Sequence, residues 1–162
     1  YLALRKAGEA YGLRLFGSYA VESMRLEKGY RHWKADLVTE FNPYESGLSR
    51  FVKMDKPHFI GKAALEKMVA DGPRRSFVSM VVDATHATPH GGDAILSGGR
   101  VVGSVTSVAW GHRVGKNIAM GFVEPALGAT GTALMVDVIG VPTPATVVPE
   151  CLYDPENLRV RD

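Results

Sequence analysis

Apolar residues are arranged in two different patterns along this 162-residue chain. Up to about residue 72 the spacing is helical. Leu4, Ala7 and Tyr11 share one face of a helix predicted over Leu2 to Tyr11, with Gly12 where a left-handed residue ends a helix. After a short apolar link, Leu13 to Phe16, Ser18 is placed to cap a second helix that runs to about Lys28 and stops at Gly29. Ala20, Val21 and Met24 are predicted to face its core side, and Glu22, Arg25 and Lys28 its polar flanks. The stretch from Tyr30 to Pro43 is irregular and closes in the turn signal Asn42-Pro43, and Phe51 to Met54 reads as a short strand. A third helix, about Ile60 to Ala70, lines up Ala64, Leu65, Met68 and Val69 and ends at Asp71-Gly72-Pro73.

From Arg74 onward the pattern becomes short apolar runs between glycine-rich turns. Strands are predicted at Ser76–Val82, Ala94–Leu96, Val101–Ala109, Ala119–Val123, Leu134–Ile139 and Thr146–Val148, with Ser97-Gly98-Gly99 as a hairpin turn. Six such strands imply a small antiparallel barrel or sandwich. The chain is thus α+β, with a boundary expected near Gly72-Pro73.

Composition changes this picture little. The charged fraction is 22% and the net charge is +2 without any basic stripe, which argues against nucleic acid as a partner. No apolar run reaches the roughly 18–20 residues of a membrane span. One cysteine, Cys151, cannot form an internal disulfide, which points to a reducing compartment. The chain opens inside a predicted helix without an initiator Met, so it is read as cut from a larger one.

Candidate chemistry is sparse. The histidines are His32, His58, His86, His90 and His112; His86 and His90 are separated by Pro89 and have no Cys or carboxylate at ligand spacing, so no metal site is expected. Cys151 adjoins Glu150, a neighbour that disfavours a thiolate, and is read as structural. Gly91-Gly92-Asp93 and Gly98-Gly99-Arg100 are turns, not phosphate loops. Gly111 to Lys116 reads as a hairpin loop, with an anion nest as the alternative. The stretch Ser23 to Trp33 stands apart: it places Tyr30 and Trp33 just past a helix end among Arg25, Lys28 and Arg31. Aromatics beside fixed cations suit a ligand with a flat ring and a carboxylate tail. The same rings could instead pack the helix end onto the core.

Ser23 to Trp33 also resembles the signature of the glycine-cleavage T-protein (aminomethyltransferase) superfamily. So do, in order, Asn42 to Leu48, Val52 to Lys56, Phe59 to Leu65, Gly103 to Ser107 and Ile118 to Val123. The ending Leu152 to Asn157 is similar to that of dimethylglycine oxidases. T-proteins proper usually carry Arg-Asp where this chain has Val21-Glu22, and Glu27 to Trp33 resembles the sarcosine and dimethylglycine dehydrogenase branch.

The resemblance implies that residues 1–72 complete a folate-binding domain and that residues 73–162 form the terminal β-barrel. It implies the C-terminal part of a flavin-dependent enzyme that oxidises a small methylated amine with FAD in an N-terminal domain. The T-protein-like module would then pass the methylene unit to tetrahydrofolate, making 5,10-methylenetetrahydrofolate. A stand-alone aminomethyltransferase of glycine cleavage and a non-catalytic folate-binding or interaction domain are the alternatives. Tyr30 matches a family tyrosine that lines the folate site. Arg25 and Glu27 match positions read as a structural, buried pair. The family's catalytic aspartate and folate-gripping glutamate belong upstream of Tyr1, so no catalytic residue is expected in residues 1–162, and the piece alone is expected to be inactive. The implied partners are folate, the methylated amine and the protein's own flavin domain. The implied location is the bacterial cytoplasm or the mitochondrial matrix.

Overall fold

A computed structural model describes residues 1–161. Six strands form a closed antiparallel barrel: β1 (Ser76–Val82), β2 (Ala94–Ser97), β3 (Arg100–Gly111), β4 (Lys116–Val123), β5 (Ala133–Val138) and β6 (Val141–Val148). Their order around the barrel is β1-β4-β3-β2-β5-β6, and β6 closes on β1. Closure leaves no free sheet edge. The hairpin at Gly98-Gly99 has positive φ at both residues, the backbone that a two-residue turn matching strand twist requires.

Alternation along the strands fills the interior with Val78, Met80, Val82, Ile95, Val102, Val105, Ala119, Val123, Val136 and their neighbours. A second apolar cluster lies on the outer face of β1 and β4, where Phe77, Ile118, Met120 and Phe122 meet Leu26, Phe41 and Leu152. The Phe41 and Phe122 rings stack at 3.8 Å between centroids. Burial on both faces explains why β4 reads as a continuous apolar run.

The preceding helices are α1 (Leu2–Gly8), α2 (Ser18–Glu27) and α3 (Lys62–Asp71); a short α4 (Leu158–Arg161) follows the barrel. Their positions agree with the helical spacing, and Gly12 ends the first helical segment at φ 69°. Their expected apolar faces do not. Neither α1 nor α3 has a buried residue. On α2, which packs against β3 and β4, Val21 and Met24 are exposed, and the buried residues are Ser23, Leu26 and Glu27. The helix turns a mostly polar stripe to the barrel, so an apolar-face rule assigned the wrong side.

Several boundaries also differ from the sequence reading, among them the start of β4, at Lys116 rather than Ala119. Residues 51–54 form no strand; Ser49–Phe51 is a 3-10 turn. Ile139 leaves the β5 pattern to take φ 51° in the turn to β6, a conformation a β-branched side chain rarely adopts. β6 begins at Val141 rather than Thr146; Pro142 and Pro144 lie in its first half, which pairs with β5 alone, while Ala145–Val148 pair with β1.

Candidate functional site

The C-terminal end of α2 is a Schellman turn. The Gly29 N–H donates to the Leu26 carbonyl at 3.1 Å and the Tyr30 N–H to the Arg25 carbonyl at 2.8 Å, with Gly29 at φ 74°. A Cβ on Gly29 would meet the Glu150 carbonyl oxygen at 2.7 Å, so glycine here serves both the turn and the close approach of the C-terminal segment. That segment is fastened to the same helix end: the Leu152 and Tyr153 N–H groups donate to the Glu27 carbonyl at 2.9 and 3.0 Å.

Tyr30 opens onto a pocket of 240 Å³ lined by Lys28, Arg50, Glu150, Cys151, Pro155 and Asn157 among others. The Tyr30 residue is 59% exposed and Trp33 69%, so neither ring packs the helix end onto the core. Of the pocket's cations, Lys28 is already engaged, its Nζ donating to the Asp154 carbonyl at 2.6 Å and contacting the Asp154 carboxylate at 3.3 Å. Burial pushes the Asp154 carboxyl up, but the Leu158 N–H and the Lys28 ammonium outweigh this and hold it below the usual carboxylate range. Arg50 lies over the Phe51 ring at 4.8 Å and forms no ion pair among the described residues, so it is the cation free to meet an acid. Cys151 is partly exposed, with Sγ 3.2 Å from the Tyr153 carbonyl.

Behind Tyr30 lies a polar network that the sequence did not reveal. Asp36 is fully buried. Its Oδ2 accepts from Arg25 Nη1 at 3.0 Å and the His32 N–H at 2.7 Å; its Oδ1 accepts from Thr106 Oγ1 at 2.5 Å and Ser107 Oγ at 2.7 Å. Arg25 also donates through Nη2 to Ser107 Oγ at 2.9 Å and through Nε to Glu22 at 2.7 Å. Arg25 therefore pairs with Asp36 and Glu22, not with Glu27. Glu27 instead accepts the N–H groups of Arg113 and Val114 at 2.5 and 3.2 Å. The loop from Gly111 to Lys116 is the expected hairpin connection, and the anion it cradles is the protein's own carboxylate.

A buried cation and a further buried acid are similarly engaged. Arg31 lies over the Phe77 ring at 4.5 Å, donates to the Ser46 carbonyl at 2.6 Å and pairs with Glu150 at 2.6 Å. Glu45 accepts from the Asn42 N–H at 3.1 Å and from the Arg74 N–H and Nε at 2.9 and 3.1 Å. Burial raises the Glu45 carboxyl, and these donors more than offset it, leaving its pKa lowered from 4.5.

The buried carboxylates Glu27, Asp36 and Glu45 spend their acceptor capacity on internal donors, and the carboxylate that lines the pocket is the exposed Glu150, paired with Arg31. An exposed aromatic ring, a guanidinium without an ion pair and an ion-paired carboxylate thus line one pocket. Thr106 and Ser107 lie in the family-like block Gly103 to Ser107, but nothing in the sequence pattern joined them to Asp36, about seventy residues away along the chain. No group of three His, Cys, Asp or Glu side chains able to hold a metal occurs among the described residues, and no helix there is long and apolar enough to cross a membrane.

Comparison with known proteins covers both halves of the chain. The glycine cleavage T-protein C-terminal barrel domain matches residues 75–154, and the GCVT N-terminal domain matches residues 1–56. Mouse mitochondrial dimethylglycine dehydrogenase is 36% identical over 162 residues, covering 99% of this chain and 19% of that protein. An aminomethyltransferase of Saccharopolyspora erythraea is 37% identical over 147 residues, 90% of this chain and 40% of that protein. The crystal structure of aminomethyltransferase T of the Bartonella henselae glycine cleavage system superposes with a TM-score of 0.78 at 25% identity, covering 84% of this chain and 38% of that one. The chain thus spans about a fifth to two fifths of the length of these relatives.

Proposed function

Because the chain belongs to the glycine-cleavage T-protein family, we propose that it forms the C-terminal part of a tetrahydrofolate-binding one-carbon transfer module in a flavin-dependent dehydrogenase of the dimethylglycine or sarcosine type. The observation that carries this reading is the 36% identity to dimethylglycine dehydrogenase along 99% of the chain. Val21, standing where T-proteins proper usually have Arg, supports the same branch.

In this role Tyr30 is the aromatic wall for the flat ring of the folate, and Arg50 meets its acid tail. The residues present fit that ligand in part. An exposed ring and an unpaired guanidinium flank one pocket, but its 240 Å³ is below the roughly 300–1,000 Å³ usual for whole-ligand sites. Residues outside this chain would complete the site and carry the acid–base groups. Tetrahydrofolate supplies the acceptor of the one-carbon unit; this chain's residues hold and orient it. A location in the bacterial cytoplasm or mitochondrial matrix goes with this reading, as does the protein's own flavin domain as partner.

The test is a titration of the full-length protein with tetrahydrofolate, with and without Tyr30→Ala. Weakened binding in the variant is expected, and unchanged binding and product would refute the assignment of Tyr30. Residues 1–162 alone are expected to turn over no substrate; methylene transfer by them would contradict the role given to the upstream residues. A second reading, an aminomethyltransferase of glycine cleavage, is favoured by the 37% identity over 90% of the chain to the bacterial enzyme of that name. The upstream reading frame separates the two. A strand, a G-x-G-x-x-G turn and a helix at its start mark the flavin enzyme, and their absence favours the transferase.

A further inference from the structure

We propose that Arg25 is a positioning residue for Tyr30, fixing the tyrosine to the barrel wall rather than merely tying α2 to the loop after it; this rests on the reading of Tyr30 as a folate contact. Both polar groups of the Tyr30 backbone end on Arg25. The Tyr30 N–H donates to the Arg25 carbonyl at 2.8 Å, and the Tyr30 carbonyl accepts from Arg25 Nη1 at 3.1 Å. The peptide units on either side of the Tyr30 Cα are thereby held by one residue, which sets the direction in which its ring leaves the backbone.

Arg25 is in turn held by the barrel. Its Nη1 meets Asp36 at 3.0 Å and its Nη2 meets Ser107 Oγ at 2.9 Å. The register between β3 and β4 slips between Val105, opposite Gly121, and Ser107, opposite Met120, leaving Thr106 as the extra residue of a bulge. In a regular strand successive side chains point to opposite faces. Here the adjacent hydroxyls of Thr106 and Ser107 both reach Asp36 Oδ1, at 2.5 and 2.7 Å. The bulge therefore delivers two donors to one carboxylate, the carboxylate orients the guanidinium, and the guanidinium orients Tyr30. Only arginine can do this: three of its nitrogens are used at once in a planar fork, and a lysine ammonium would have to abandon at least part of the set.

The experiment is a double-mutant cycle on the full-length protein, reading the dissociation constant for tetrahydrofolate together with the thermal midpoint. Arg25→Lys is expected to raise the dissociation constant about tenfold, the loss typical of one charge-assisted hydrogen bond. In a Tyr30→Ala background the same substitution is expected to add nothing. A merely structural Arg25 would lower the thermal midpoint and weaken binding equally in both backgrounds, and that result would overturn the proposal. Ser107→Ala, which removes one donor set and keeps the ion pair, is the second variant should Arg25→Lys not fold. It is expected to weaken binding about threefold, again only when Tyr30 is present. If Tyr30→Ala alone leaves binding unchanged, the folate reading of Tyr30 fails; if Tyr30→Ala weakens binding and the arginine effect is additive, only the positioning role fails.

Discussion

The barrel and the segment before it are built on different principles. The barrel carries its own interior, thirteen buried apolar residues drawn from its six strands. The segment up to residue 72 has α1 and α3 without a buried residue and leaves Leu4, Phe16, Tyr19, Trp33, Phe51 and Ile60 in the open. What fastens it to the barrel is polar as much as apolar: Ser23 on the Trp110 carbonyl at 2.7 Å, Glu27 on the β3–β4 loop, Asp36 and Arg25 on the bulge, Glu45 on Arg74. Area burial is additive and forgiving, whereas a buried charge without its partner is costly. One region should therefore fail gradually as atoms are removed, and the other abruptly when single partners are lost.

Removing Asp36 is the sharpest way to test that contrast. Asp36→Ala leaves Ser107 and the His32 N–H without their acceptor and strips one acceptor each from Arg25 and Thr106, which keep Glu22 and the Met120 carbonyl. It is expected to destabilise the chain by about 3–5 kcal/mol, more than its small volume suggests; urea unfolding measures this, and a loss near 1 kcal/mol would mean water replaces the carboxylate at no great cost. Next in size is the barrel interior, where Met80→Ala is expected to cost about 2–4 kcal/mol through lost burial and a cavity. Gly29→Ala follows, at about 1–3 kcal/mol, because φ 74° and the Glu150 carbonyl both exclude a methyl group. A change well below that range would show the C-terminal segment to be loosely attached.

A fourth, smaller effect is pH dependence. Glu45 has its carboxyl lowered from 4.5 in the folded chain, so the unfolded chain binds its proton more readily. Its contribution is complete above about pH 4.5 and is lost as the pH falls through the folded value. Glu45→Gln should flatten the acid limb of the stability curve there, and an identical limb would show that other groups govern it. Smallest of all is the exposed pair of Arg100 and Glu124, bidentate at 2.5 and 2.8 Å. Arg100→Ala is expected to leave the unfolding midpoint unmoved, since solvent-exposed pairs contribute little.

The six barrel strands in outline, most of the turns and the helix positions were legible along the chain, although the strand read at Phe51–Met54 does not form and the first half of β6 was missed. Strand alternation and paired glycines are local signals, and Ser76–Val82 and Gly98-Gly99 could be read without knowing their neighbours. The sequence also placed Tyr30 just past the stop of α2, at the end of a Schellman turn that depends on one glycine. Which face of α2 is buried could not be read there, since around Leu26 that face meets hydroxyls, backbone carbonyls and N–H groups of β3 and its loop. Nor could the partner of Arg25, where Glu27 was nearer along the chain and Asp36 nearer in space. These are settled in three dimensions, because a buried polar group is matched to a donor or acceptor by spatial proximity, and the bulge at Thr106 that makes the match possible leaves no periodic trace in the residues that form it.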